Sequence, residues 1–301
     1  MKTFLSFLLI AVCAAGTSCI GAKKMDAARE RLNTIKEGQR NEVNRLNQIS
    51  ANSSTRMNEN KIDSVINSRF DYRVGRIHIE MDSVSGEINE LDSLMAERKL
   101  FRQAFKKIII PKLDLLDSFR LENAKRNQVY LMMEDGLNSA TYSLFDLAAF
   151  FGPGKYAIPQ EQEEITANSF APLVDSVINF SKRYSKFSQT ATLVILGFAD
   201  GTGFDPESDL YAELAGLIGR VDVSKQELNQ KLSELRAETL IRQLRSQFTK
   251  KMGGREETEN FKIEFLGLGK GERFPFTSVT DYKEEDERRR IVLCYWAVLP
   301  R

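Results

Sequence analysis

Histidine is nearly absent from this 301-residue sequence, which contains only His78. Histidine is the side chain that most often carries protons near neutral pH, and it is the commonest metal ligand. Its scarcity argues against His-based catalysis and multi-His metal sites. The other residues do not supply a catalytic set of nucleophile, base and orienting group, because Ser233 has no histidine or lysine base at helical spacing. We therefore expect no enzyme activity, no metal and no cofactor.

An excess of charge of one sign is also missing. The formal net charge is +1, and hydrophobic and charged residues make up 42% and 28% of the chain. These values are ordinary for a soluble protein. A balanced charge gives no field that would attract nucleic acid, and we expect no nucleic-acid partner. The length allows about two domains.

Cysteine is scarce, and one cysteine follows a leader-like segment. Lys2 precedes an apolar run at residues 4–12, which is too short to span a bilayer, and three small residues then precede Cys19. This pattern resembles a bacterial lipoprotein signal over residues 1–18, in which Cys19 becomes the acylated first residue of the mature chain. The alternatives are an ordinary secretory signal cleaved nearby and a chance cysteine.

Acylation would determine where the protein resides. Each buried CH₂ of an acyl chain adds about 0.8 kcal/mol, so several chains together anchor stably. By resemblance to lipoprotein sorting, Ile20 is not the Asp that favours retention in the inner membrane. We expect a lipid-anchored protein of the outer membrane that faces the periplasm. Cys294 would then be the one free thiol of the mature chain, so no internal disulfide is expected. We expect Cys294 to be buried in a strand.

Residues 19–135 are rich in charge and nearly free of glycine and proline, which predicts long helices. We expect a helix over residues 26–50 and a break in the Asn- and Ser-rich stretch 50–60. An apolar seam then repeats at spacings of four and three, as in a coiled coil. It consists of Phe70, Val74, Ile77, Met81, Val84, Ile88, Leu91 and Met95. The seam favours either a coiled-coil stalk that oligomerises or an intrachain hairpin, with a second helix over residues 113–132.

Composition and period change near Gly136, where a C-terminal domain over residues 136–301 is expected. Strand signals recur in the stretches 141–151, 192–196, 261–266 and 290–298. Helical signals occupy residues 171–184 and the stretch after Ser224, where Glu227 completes a capping box. This order predicts an α/β sandwich with helices on one mixed four-stranded sheet. The whole chain is then α+β, with the helical coiled-coil or hairpin stalk preceding the sandwich.

Three motifs carry a family resemblance in this domain. Residues 197–203 read GFADGTG where the family has a GHTD-like strand end. Residues 229–237 match an NxxLSxxRA helix signature, and the later GxG…P…RR pattern lies within residues 267–291. Residues 140–300 thus resemble the OmpA-like peptidoglycan-binding domain, which Pal-type lipoproteins also carry. This sequence departs from the family at Phe198 and Ala199, and by an insertion of about twenty residues at 204–223.

The resemblance implies non-covalent binding of diaminopimelate in peptidoglycan stem peptides, which tethers the outer membrane to the cell wall. Asp200 would accept hydrogen bonds from the ammonium group, and the Arg236 guanidinium would bind the carboxylate. Backbone N–H groups near Gly201 would add to the site. Asn229 and Ser233 lie on the same helical face as Arg236, so they would help to orient this pair.

Other roles for these residues stay open at this point. Asn229 and Ser233 could simply form a polar stripe that faces solvent, and Arg236 could form a surface ion pair with Glu238. Asp200 could serve only to form a turn. Two further arginines, 289 and 290, favour a structural and general electrostatic role. The insertion, with a short helix near residues 210–218, would line the pocket, cover it or bind a partner. The alternative function is an envelope scaffold or complex subunit with a degenerate domain, which binds protein partners or itself through the coiled coil and the insertion.

Overall fold

The structure is a computed structural model with an α+β fold, in which helices accompany a mixed four-stranded sheet as predicted. It describes residues 2–146, 154–254, 257–276 and 278–301, with side chains from residue 22 onwards, Asp146 excepted. Among these residues, no helix combines the length and the apolar content needed to cross a membrane.

From β1 onwards, the elements follow in the order that the sequence patterns predict. The helices are α1 (Lys2–Asn58), α2 (Ser64–Ala96), α3 (Arg98–Ala104), α4 (Ile110–Leu121), α5 (Asn123–Ser139), α6 (Glu163–Arg183), α7 (Asp209–Ile218) and α8 (Lys225–Lys251). The strands are β1 (Thr141–Asp146), β2 (Gln189–Gly197), β3 (Phe261–Gly269) and β4 (Ile291–Pro300). The stretch predicted as a strand beyond Asp146 lies outside the described residues.

The residues group into two compact units. The first unit contains the residues up to Ala51 together with Asp71–Leu131, and the second contains Asn52–Phe70 together with Met132–Arg301. Residues 52–70 therefore belong to the same unit as the C-terminal residues, although they lie far from them in the sequence.

In the first unit, the apolar seam is buried by helices of the same chain. Val84, Ile88, Leu91 and Met95 of α2 share one core with residues of α1 and α4. The partners from the other helices are Met25, Ala28, Leu32, Ile35, Leu113 and Leu116. These four seam residues thus pack within the chain, as the hairpin alternative predicts. The second helix expected over residues 113–132 is divided into α4 and α5, and α1 is a further partner that the sequence pattern did not indicate. The coiled-coil oligomer stays a prediction.

A buried charged cluster also stabilises the first unit. Arg126 makes a two-pronged ion pair with Glu42, through Nε at 2.8 Å and Nη2 at 2.9 Å. Tyr130 donates its hydroxyl to the same carboxylate at 2.8 Å. Burial, reinforced by this hydrogen bond, raises the pKa of Tyr130. The carboxylate is therefore paired and hydrogen-bonded, which offsets the cost of burying it.

The sheet of the second unit has the strand order β1-β4-β2-β3. β2 is parallel to β3, while β4 is antiparallel to both β1 and β2. In the β2–β4 register, Gly197 lies opposite Val292. This pairing brings the residues just before β4 beside the residues just after β2, at one edge of the sheet.

Helices cover one face of this sheet, and residues 52–70 lie at the other. α6 and α8 bury Leu193, Ile195 and alternate residues of β4 in one core. The side chains of the opposite face, such as Tyr295, are buried as well. Arg69 forms an ion pair at 3.2 Å with Glu264 of β3, and Ile66 is fully buried. The segment at the junction of α1 and α2 therefore packs on the second face.

Candidate functional site

The candidate site begins where β2 ends. Beyond Gly197, Phe198 donates its N–H to Ile291 O at 3.1 Å, and Ala199 donates to Gly271 O at 2.9 Å. These bonds continue the pairing past the strand and fix Asp200 at its carboxyl end. An added Cβ at Gly197 would overlap the carbonyl oxygen of Ser233. Glycine is needed there because α8 crosses β2 at close range.

The capping box predicted at the start of α8 is present. Ser224 caps the helix, and Glu227 accepts the Ser224 N–H at 3.0 Å. Asn229, Ser233 and Arg236 lie on one face of α8, as their spacing predicts, but that face is buried. Their exposed fractions are 1%, 0% and 2%. A solvent-facing stripe is therefore wrong for Asn229 and Ser233, and a surface ion pair is wrong for Arg236.

Arg236 lies beneath the end of β2. Its Nη1 donates to Phe198 O at 3.1 Å, and its Nε donates to Lys155 O at 3.2 Å. Burial lowers the pKa of Arg236 to about 10, an effect that Asp200 opposes and Arg290 reinforces. The guanidinium therefore stays charged at neutral pH. Asp200 acts on Arg236 through its electrostatic field. The hydrogen bonds that the structure describes for the Arg236 guanidinium go to backbone carbonyl groups instead.

The direct partner of Asp200 is Arg290, at the start of β4. Arg290 Nε lies 2.6 Å from Asp200 Oδ2, and the two side chains are only 14% and 8% exposed. The sequence analysis gave Arg290 a general structural role and missed this pair. The antiparallel β2–β4 register brings the two residues together, because it places residue 290 beside residue 199, and no local sequence signal indicates that register.

The neighbouring arginine has the structural role that was predicted. Arg289 is 3% exposed and donates through Nη1 to Glu284 O at 2.7 Å. Its Nη2 donates to Glu272 O, and its guanidinium lies 4.8 Å from the centre of the Phe274 ring. Arg289 thus organises the loop between β3 and β4, which borders the site.

The remaining predicted residues also hold this loop. Asn229 Nδ2 donates to Glu272 Oε1 at 2.7 Å. Ser233 Oγ accepts the N–H of Gly271 at 2.9 Å. Gly201 donates its N–H to Glu284 O at 2.6 Å, so this N–H is already used inside the protein. The three residues therefore surround Asp200 mainly by fixing the backbone around it.

A cavity of about 250 Å³ opens beside the Asp200–Arg290 pair. Its walls come from the turn after Asp200, from the insertion and from α8. The lining residues are Gly154, Asp200, Thr202, Gly203, Phe204, Asp205, Ser208, Leu210, Asn229, Leu232 and Arg290. Two larger cavities of about 380 and 470 Å³ lie elsewhere in the unit, and neither contains a residue predicted for the site. We take the smaller cavity as the site because the ion pair lines it.

The insertion forms the predicted short helix and contributes to the cavity wall. Ser208 caps α7 by accepting the N–H of Tyr211 at 3.2 Å. Leu214 packs against Leu228 and Leu232 of α8. This packing anchors the insertion, so that Phe204 and Leu210 line the cavity. Of the three roles that the sequence left open for the insertion, these contacts favour lining the pocket.

Comparison with known proteins gives only a distant likeness. No protein-family model and no curated protein match the sequence. Among solved structures, a MotB-like protein from Desulfovibrio vulgaris is 17% identical, with a TM-score of 0.29 over 59% of this chain and 93% of that chain. The periplasmic domain of Helicobacter pylori MotB is 12% identical, with a TM-score of 0.26 over 52% and 74%. The similarity at this level concerns the fold alone.

Proposed function

We propose that the second unit binds peptidoglycan non-covalently, through the diaminopimelate residue of the stem peptides. The observation that carries the proposal is the charged group at the end of β2. Asp200 and Arg290 form an ion pair that lines a cavity of about 250 Å³; the buried, charged Arg236 does not line this cavity but interacts electrostatically with both. The free end of diaminopimelate carries one ammonium and one carboxylate. Opposite charges fixed at one cavity suit such a group.

The size of the cavity supports an end group as the ligand. Pockets for drug-sized molecules span roughly 300–1,000 Å³, so about 250 Å³ suits the end of one side chain. Charge-assisted hydrogen bonds contribute roughly 1.5–3 kcal/mol each, which gives modest affinity at a single site. Many copies on one membrane would bind the cell wall firmly through effective concentration.

Sedimentation with diaminopimelate-type peptidoglycan tests the proposal. The chain from Ile20 to Arg301 should sediment with the insoluble polymer, and Asp200→Asn and Arg236→Lys should reduce the bound fraction severalfold. A suitable control is Asp175→Asn, because Asp175 pairs with Lys251 and lies outside the cavity. Circular dichroism should verify that each variant is folded. Equal sedimentation of all four proteins would contradict the proposal.

We infer further that the protein is a lipid-anchored envelope protein without enzyme activity. Acylated Cys19 would hold it in the outer membrane with the second unit in the periplasm, where it would reach the cell wall. Replacing Cys19 with Ala should remove the acyl mass from the intact protein and move it to the soluble periplasmic fraction. An unchanged mass would exclude this anchor.

A second candidate function is that of an envelope scaffold whose OmpA-like domain has lost its ligand. It is favoured by two exposed apolar residues at the end of the insertion, Leu217 at 53% and Val221 at 92%. Phe198 is buried where the family has histidine, which also favours it. In this case the wild-type chain would not sediment with peptidoglycan. A photo-crosslinker at position 217 would instead give a discrete adduct that Val221→Asp abolishes.

A further inference from the structure

We propose that the cavity orients its zwitterion with the carboxylate inward, on Arg290, and the ammonium outward, on Asp205 of the insertion. Asp200 would act as a positioning residue that holds Arg290. The inference rests on the proposed function and refines it, because the family resemblance assigns the ammonium to Asp200 and the carboxylate to Arg236. The two orientations differ in which aspartate senses the ammonium.

The buried end of the cavity holds the Asp200–Arg290 pair. Asp200 is ion-paired with Arg290 at 2.6 Å, and the charges that act on Arg236 are those of Asp200 and Arg290. Arg236 itself does not line the cavity, so the cation that a ligand meets at this end is Arg290. A ligand ammonium placed there would meet net repulsion, whereas a carboxylate would be attracted.

Arg290 can bind a second carboxylate while it holds the first. Its contact with Asp200 is made through Nε. Nη1 lies 3.9 Å from Glu287, whose side chain is 78% exposed, so that pair is weak. A guanidinium presents five N–H donors in a planar fork. Thr202 also lines the cavity, and its buried hydroxyl has no hydrogen-bond partner among the described residues.

The outer end of the cavity carries the opposite charge. Asp205 lines the cavity and is exposed. Its Oδ1 accepts the N–H of Glu207 at 3.0 Å, and its carbonyl accepts the Ser208 hydroxyl at 2.6 Å. These bonds fix the turn that precedes α7. Within the part of the chain that the structure describes, no cation forms an ion pair with Asp205, so its carboxylate is open to a cationic ligand group.

Apolar side chains also line the cavity. They are Phe204, Leu210 and Leu232. They suit the methylene groups that separate the charged end of diaminopimelate from its peptide. The insertion thus provides both an apolar wall and an exposed carboxylate, so one cavity presents a buried cation, Arg290, and an exposed anion, Asp205.

The test compares ligands that lack the ammonium. Calorimetry would measure binding of the mature chain to a stem tripeptide ending in meso-diaminopimelate, and to the same peptide with its free amine acetylated. In the wild type, acetylation should weaken binding. Asp205→Asn should weaken binding of the free-amine peptide by about two- to fivefold, the range for an exposed ion pair. It should also abolish most of the discrimination between the two peptides.

Two variants make the outcomes distinguishable. Glu207→Gln is the matched control, because Glu207 is an exposed acid of the same turn that does not line the cavity. It should behave as the wild type. Asp200→Asn should weaken both peptides and keep the discrimination. Discrimination lost in Asp200→Asn and kept in Asp205→Asn would overturn the inference. A wild type that does not bind the free-amine peptide would overturn the proposed function as well.

Discussion

Replacing Arg290 with Met should destabilise the second unit more than any change at its exposed neighbours. The substitution keeps an unbranched apolar stem but removes the guanidinium that contacts Asp200 at 2.6 Å. Asp200 is 6% exposed, so water cannot readily replace the lost partner. The carboxylate would stay buried, with only the field of Arg236 to stabilise its charge.

The size of the loss follows from the burial of the pair. Removing one partner of a buried ion pair typically costs about 3–5 kcal/mol, because the other charge is left uncompensated. The two side chains are 14% and 8% exposed, and Arg236 still acts on Asp200. We therefore expect the lower end, about 3 kcal/mol. At roughly 2–4 °C per kcal/mol for a unit of this size, the melting temperature should fall by about 6–12 °C.

The protein contains a convenient probe for this measurement. Trp296 is the only tryptophan of the chain, and it is 4% exposed in the core of the second unit. Its fluorescence in a urea titration would report the unfolding of that unit. The double variant Asp200→Asn/Arg290→Met should lose less stability than the sum of the two single variants, since neither charge is then left buried without its partner.

Arg288→Met is the matched control for this change. Arg288 pairs with Asp281 and Asp286, but its side chain is 53% exposed. Its loss should cost clearly less than the loss of Arg290, because Arg288 and Asp281 are exposed to water and Asp286 still accepts the backbone N–H groups of Arg288 and Lys283. Equal midpoints for Arg290→Met and Arg288→Met would refute the argument that the Asp200 pair is desolvated.

Three further predictions follow from local geometry. Gly197→Ala should destabilise the second unit strongly in the same titration, because its Cβ would overlap the backbone of α8, whereas Gly203→Ala has open space and should cost little. Hydrogen bonds from Ser224 lower the pKa of Glu227 to about 2. The ionised Glu227 therefore stabilises the fold fully at pH values above its pKa in the unfolded chain, and this stabilisation is lost as the pH falls towards 2. Glu227→Gln should flatten this part of the pH–stability curve. Burial raises the pKa of the Cys294 thiol, so it should react with a thiol reagent only after urea unfolds the chain.

The periodicity of the sequence predicted the elements of the second unit well. Four strand signals and the capping box at Ser224 correspond to β1–β4 and to the start of α8. These features are local, since they depend on residues a few positions apart. The strand order could not be predicted in the same way, because the pairing of β4 with β2 joins residues about a hundred positions apart.

The expected break at residues 50–60 was wrong over most of its length. α1 continues to Asn58, and the chain turns only after it. Asn and Ser favour turns because their side chains can bond to the local backbone. Here Ser53 is fully buried and donates its hydroxyl to Asn67 at 2.7 Å instead. A contact between two helices thus replaces the local bond that the composition indicated.

The sequence predicted that three of the candidate site residues share one helix face, but it could not predict their environment. Spacing alone placed Asn229, Ser233 and Arg236 on one face of α8, because a helix fixes that relation. The burial of this face depends on the close crossing at Gly197, which joins two elements of distant sequence. Asn229, Ser233 and Arg236 would be exposed on an isolated helix, but in the fold they are buried and hydrogen-bond to the loops around Asp200.

Arg290 changes the charge balance that the family motif predicts for the candidate site. An Asp and an Arg carried over from that motif predict a clamp with one charge of each sign. In the structure, Asp200 is already paired with Arg290 at 2.6 Å, and Arg236 interacts with this pair without lining the cavity. If the proposed function holds, the ammonium of a zwitterion would pair with another acid, and Asp205 lines the same cavity. The orientation of such a ligand would then depend on neighbours that the fold adds and that a residue-by-residue resemblance does not include.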